Sequence, residues 1–81
     1  MRQPKIDSNG LTAIYQRAAA AGETIARQGG ITATEEQIFR ECITDLRALG
    51  AAHPMRQTLT GRRQSGIIAL VAWLRHNPAE W

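Results

Sequence analysis

Residues Gly66 to Leu74 read Gly-Ile-Ile-Ala-Leu-Val-Ala-Trp-Leu, nine positions without a polar side chain in a chain of 81. A helix built from them is apolar on most of its circumference and needs cover on most of it. The run is about half the length of a membrane span and is closed by Arg75-His76-Asn77-Pro78, so no membrane contact is expected. It belongs in a protein interior or an interface. A domain of this size buries only about 60% of the surface its unfolded chain exposes, which leaves little protein to surround such a segment.

Small domains supplement a thin core with disulfides, metals or association. A single cysteine, Cys42, rules out an internal disulfide. The two histidines and Cys42 are far apart and match no metal-ligand spacing, so no metal or other cofactor is expected. Association, with a protein partner or as a homodimer, is the supplement that remains.

The rest of the chain reads as all-α, a small bundle of three main helices. Met1 to about Ser8 contains Pro4 among polar residues and reads as a flexible tail before one helical domain over 9–81. Leu11, Ile14, Tyr15, Ala18, Gly22, Ile25 and Ala26 recur at intervals of three and four, which predicts a helix over about 9–28. Asp7, Ser8 or Asn9 is placed to cap it, and Gly29-Gly30 to end it. The small residues Ala18 to Gly22 suit close approach by another helix.

Ile38, Phe39, Cys42, Ile43, Leu46 and Leu49 form the apolar face of a second helix, over about 34–49. Thr34 and Gln37 have capping-box spacing, Glu35 and Glu36 suit the positive end of the dipole, and Gly50 is the expected stop. Glu36 and Arg40, four apart, are expected to pair on the solvated side. Met55 and Leu59 predict a short helical turn near 54–60, started by Pro54, with a break near Thr60-Gly61. A third helix over about 62–76 follows and stops before Pro78.

Nine arginines and one lysine give a net charge of +3, and the charge is local. Residues 31–50 carry a net −2, whereas residues 51–81 carry Arg56, Arg62, Arg63 and Arg75 against Glu80. Arg62, Arg63, Gln64 and Ser65 at the start of a helix supply donors of the kind that contact phosphates and base edges. On a continuous helix, Arg56 and Arg63 would share a face. With Arg75, these residues make nucleic acid or an acidic protein a candidate partner. A recognition helix, however, keeps a polar face along much of its length, and here the polar part lasts barely one turn.

No catalytic set emerges. Gly61 and Gly66 are spaced like a phosphate loop, but Ile67 and Ile68 occupy the positions that need lysine and a hydroxyl. Cys42 lies on an apolar stripe and is expected in the core, where a thiol acts as a small hydrophobe. His53 precedes a proline and His76 suits the end of a helix dipole. The expectation is therefore no enzyme and no small-molecule substrate.

Leu70, Trp73 and Leu74 share a face with Gly66 that the first two helices can cover. Left over are Ile68, lying off that face among Ala69 and Ala72, and Trp81, which either folds back or anchors a contact. Ile68, Ala72, Trp73 and Trp81 are thus the candidate partner-binding residues. The reading is a non-catalytic docking module, a small regulator, adaptor or inhibitor in a reducing cytoplasmic setting. Its alanine and arginine richness suits a bacterial or phage-encoded chain. The alternative is a small basic DNA-binding transcriptional regulator using the arginines at the start of the last helix.

Overall fold

A computed structural model describes residues 8–56 and 62–81, with side chains at 10–56 and 64–81. The predicted tail up to Asp7, the side chains of Ser8 and Asn9, Leu59, the Thr60-Gly61 break and the side chains of Arg62 and Arg63 lie outside these ranges. Three helices carry the fold: α1 (Ser8–Gln28), α2 (Ala33–Ala48) and α3 (Arg62–His76). Single 3-10 turns, Pro54–Arg56 and Pro78–Glu80, precede and follow α3. The all-α bundle predicted from periodicity is the observed architecture.

α1 and α2 run antiparallel, since Ile14 meets Cys42, Arg17 meets Asp45 and, at the other end, Gln28 meets Glu35. α1 and α3 run in the same general direction, with Tyr15 facing Gly66 and Gly22 facing Ala69. Leu11, Ile14, Tyr15, Ala18 and Ala21 of α1 are buried against Phe39, Cys42, Ile43 and Leu46 of α2 and Leu70, Trp73 and Leu74 of α3. Each large aliphatic side chain in this core contributes about 1.5–3 kcal/mol through removal from water. The predicted α1 stripe rotates at its far end. Ala21 is buried, Gly22 only partly so, and Ala26 is exposed.

Small residues set the α1–α3 approach. A Cβ added to Gly66 would fall 2.7 Å from the Tyr15 carbonyl carbon and 2.9 Å from its Cα. One added to Gly22 would lie 2.9 Å from the Ala69 Cβ. Backbone therefore packs on backbone at one crossing, and a glycine on an alanine farther along. α2 and α3 meet instead through large rings, with Phe39 and Trp73 stacked at a centroid distance of 5.6 Å.

The helix ends follow from local chemistry. α1 and α2 are closed by Gly29 and Gly50 at φ of +78° and +73°, a region that strains any residue with a side chain. After α2, the Gly50 N–H donates to Arg47 O and the Ala51 N–H to Leu46 O, both at 3.0 Å, the paired bonds of a Schellman closure. At the start of α2 the predicted cap is out by two residues. Thr32, not Thr34, is the N-cap, and its partner is Glu35 rather than Gln37. Glu35 Oε1 accepts from the Thr32 N–H at 2.9 Å, the Thr32 hydroxyl at 2.6 Å and Gln28 Nε2 at 2.6 Å. A carboxylate that gathers three donors and also ties α1 to α2 outweighs what the Gln37 amide offers in the later register. Gln37 turns to Glu41 instead.

Candidate functional site

A groove of about 680 Å³ runs between the second half of α1 and the outer side of α3. Gly22, Ile25 and Ala26 form one wall, Ala69, Ala72 and Trp73 the other, and Ile31 and Phe39 line it from the α1–α2 corner and α2. The groove exists because helical period and core burial disagree at this point. Leu70 and Leu74 are 0% and 2% exposed, so α3 points them inward. Ile68 then faces out, at 62% exposure, with Ala72 exposed one turn on. α2 leans on α3 through the Phe39–Trp73 stack rather than over this face, and leaves it uncovered.

Trp73 serves both sides. It is 6% exposed, stacks on Phe39 and still lines the groove. Its indole N–H donates to Glu36 Oε2 at 3.4 Å, and the Arg40 guanidinium lies 5.6 Å from its ring centroid. The expected Glu36–Arg40 pair is replaced by these contacts, because Arg40 Nε reaches Glu80 at 3.3 Å. A tryptophan beside two opposite charges draws each to a different part of its ring, the acid to the N–H and the cation to the face.

Among the described residues, the carboxylate and guanidinium or ammonium side chains that line the groove are Glu23 and Glu36, both acidic, on a chain that is basic overall. Glu23, with Ser65, also borders a shallow depression that continues the groove past Gln16, Ala19 and Ala20. Sequence periodicity pointed to Ile68, Ala72 and Trp73. It missed the α1 wall, Glu23 and Ile31, because which residues oppose α3 depends on the helix crossing at Gly66.

Trp81 lies elsewhere and folds back. It is half-buried, its ring is 4.9 Å from the His53 ring, and the Arg47 guanidinium lies over it at 5.9 Å while donating to its backbone carbonyl. His53 is tied in turn, its Nδ1 accepting the Met55 N–H at 3.1 Å. Trp81 therefore does not line the groove with Ile68, Ala72 and Trp73.

Gln64 and Arg75 stand at opposite ends of α3. Arg56 is exposed in the first 3-10 turn, Gln64 is exposed in the first turn of α3, and Arg75 is exposed in its last. Arg62 and Arg63 stand at the start of α3, about 18 Å along the axis from Arg75. Arg56 lies in the turn begun by Pro54 and Arg63 in α3, the two separate elements that the sequence predicts.

Of the groups weighed for chemistry, Cys42 is fully buried, its thiol 3.5 Å from Ile14 O, and burial pushes its pKa up to about 11. That is the opposite of nucleophile activation. Burial likewise pushes Tyr15 up to about 12, with Cys42 adding to the shift. The Tyr15 hydroxyl has no hydrogen-bond partner among the described residues. Among those residues, no group of three histidine, cysteine, aspartate or glutamate side chains is placed to hold a metal, and no helix is long and apolar enough to cross a membrane.

The geometry thus defines a small all-α bundle with an apolar groove between α1 and α3. No family model matches the chain, and no curated protein or solved structure gives a significant match.

Proposed function

We propose that the chain is a non-catalytic protein-binding module, a small helical regulator, adaptor or inhibitor, whose docking surface is the groove between α1 and α3. The observation that carries this reading is Ile68. A large aliphatic side chain at 62% exposure stands beside a groove walled by glycine, alanine, isoleucine and tryptophan. A single exposed isoleucine needs no explanation, but one bordering a continuous apolar concavity marks an interaction surface. Small residues on both walls let a partner helix lie close to the backbone, and Trp73 supplies the aromatic anchor typical of binding hot spots. The inert setting of Cys42 and the structural ties of His53 support a role without covalent chemistry. A free buried thiol also suits a reducing, cytoplasmic setting.

Titration with the apolar fluorophore 1-anilinonaphthalene-8-sulfonate tests this reading. The folded chain, kept dilute enough to leave the groove unoccupied, should bind the dye. Ala72→Glu should abolish binding while changing the unfolding free energy by no more than about 0.5 kcal/mol, as for a surface substitution. Dye binding that survives Ala72→Glu, or a variant that fails to fold, would count against the groove as a docking surface.

A further inference from the structure

The geometry points to a second copy of this chain as the occupant of the groove, docked by antiparallel pairing of α3 with α3 about a two-fold axis between Ile68 and Ala72. This inference rests on the docking reading and adds the identity of the partner. Ser65, Ile68, Ala72 and Arg75 are all exposed. Their spacing of three, four and three is that of a helix–helix seam. An antiparallel pair centred between Ile68 and Ala72 sets Ile68 of each copy opposite Ala72 of the other, large against small on both sides of the axis. Two-fold symmetry requires this reciprocity, and the stripe supplies it.

Charge selects the same register. Glu23 and Arg75 have no ion-pair partner among the described residues. Glu23 borders the depression that Ser65 also lines, whereas Arg75 lies ten residues beyond Ser65, about 15 Å along the helix. The two do not pair within one copy. In the antiparallel pair Arg75 comes opposite Ser65 of the second copy, and so beside its Glu23. Two such pairs form per dimer, each offsetting part of the repulsion between copies that carry +3 apiece. The opposed α3 dipoles favour the same orientation.

Sedimentation equilibrium from roughly 1 to 500 µM tests the inference, a range set by the modest affinity of small interfaces. The wild-type chain should dimerise, and Ile68→Asp should weaken the dimer on the order of 100-fold by burying an unpaired charge. Glu23→Arg should weaken it roughly 10-fold, and Glu23→Arg with Arg75→Glu should restore it to within about 3-fold. A dimer indifferent to Ile68→Asp, or a double variant no tighter than Glu23→Arg alone, overturns this pairing. A chain that stays monomeric yet binds the dye in a manner sensitive to Ala72→Glu overturns the dimer and leaves the docking reading standing. A monomer that binds no dye overturns both.

Discussion

Gly66 of α3 faces the backbone of Tyr15 in α1 with no room for a methyl group between them. A Cβ there would press on the Tyr15 carbonyl and lie 2.9 Å from its Cα. The neighbour is main chain in the middle of a helix, so relief requires α1 and α3 to move apart. That displacement would loosen the packing of Leu70, which is buried one turn on from Gly66. The groove is a consequence of this approach, because its two walls are the flanks of helices held at that distance.

Gly66→Ala should therefore destabilise the fold by about 1–3 kcal/mol, as overpacking against unyielding backbone does. In an unconstrained helix the same change stabilises by about 1 kcal/mol, so the sign alone is diagnostic. Urea-induced unfolding followed by circular dichroism measures it. Gly22→Ala meets a side chain, at 2.9 Å from the Ala69 Cβ, and should be milder. Adding Ala69→Gly should recover part of its loss.

Tyr15→Phe should leave stability unchanged or raise it by up to about 1 kcal/mol, because it removes a buried hydroxyl with no hydrogen-bond partner among the described residues. Alkaline titration provides a second readout. Tyr15 has a folded pKa of about 12 against an ordinary 10.0, so its contribution is complete below pH 10.0 and is lost as pH rises toward 12. Thermal melts should show the wild type losing stability across that window and Tyr15→Phe losing less.

The Cys42 thiol should be silent in the native state. With its pKa raised to about 11 and no surface exposure, it should react with Ellman's reagent at pH 8 at least roughly 1,000-fold slower than in the unfolded chain. The reaction rate should track the opening of the fold, rising in step with denaturant.

Glu35 governs the acid limb. Hydrogen bonds from the Thr32 hydroxyl, then the Thr32 N–H, hold its carboxyl below the usual glutamate range, with Gln28 adding to them against the effect of burial. A depressed folded pKa contributes stability that is present above the unfolded pKa and lost as pH falls through the folded one. Melting temperature should thus decline below about pH 5, and Glu35→Gln should flatten that decline while lowering the plateau above it.

The helices were legible because their stripes and glycine stops are local signals, and α2 and α3 begin and end within a residue or two of expectation. The cap of α2 was misread because the spacing of hydroxyl to Glu or Gln occurs twice in Thr32-Ala33-Thr34-Glu35-Glu36-Gln37. What decides between the two is Gln28, which reaches Glu35 from another helix. Ile68 and Ala72 were identifiable as residues off the core face, since helical period alone places them there. The opposing wall from Gly22 to Ile31 was not, because it depends on a crossing angle fixed by one glycine against one carbonyl. Trp81 was open between folding back and projecting, and its seat on Arg47 and His53 is a long-range contact that no local pattern encodes.

The two tryptophans allow the central claim to be tested in one spectrum. Trp73 lines the groove and Trp81 packs beside His53, away from it. In a proton–nitrogen correlation spectrum titrated with 1-anilinonaphthalene-8-sulfonate, at a chain concentration dilute enough to keep it monomeric, the indole resonance of Trp73 and the amides of Ile68, Ala69 and Ala72 should shift together, while the Trp81 indole stays fixed. Shifts centred on Trp81, or on Arg56 and Gln64 with Trp73 unmoved, would contradict the account.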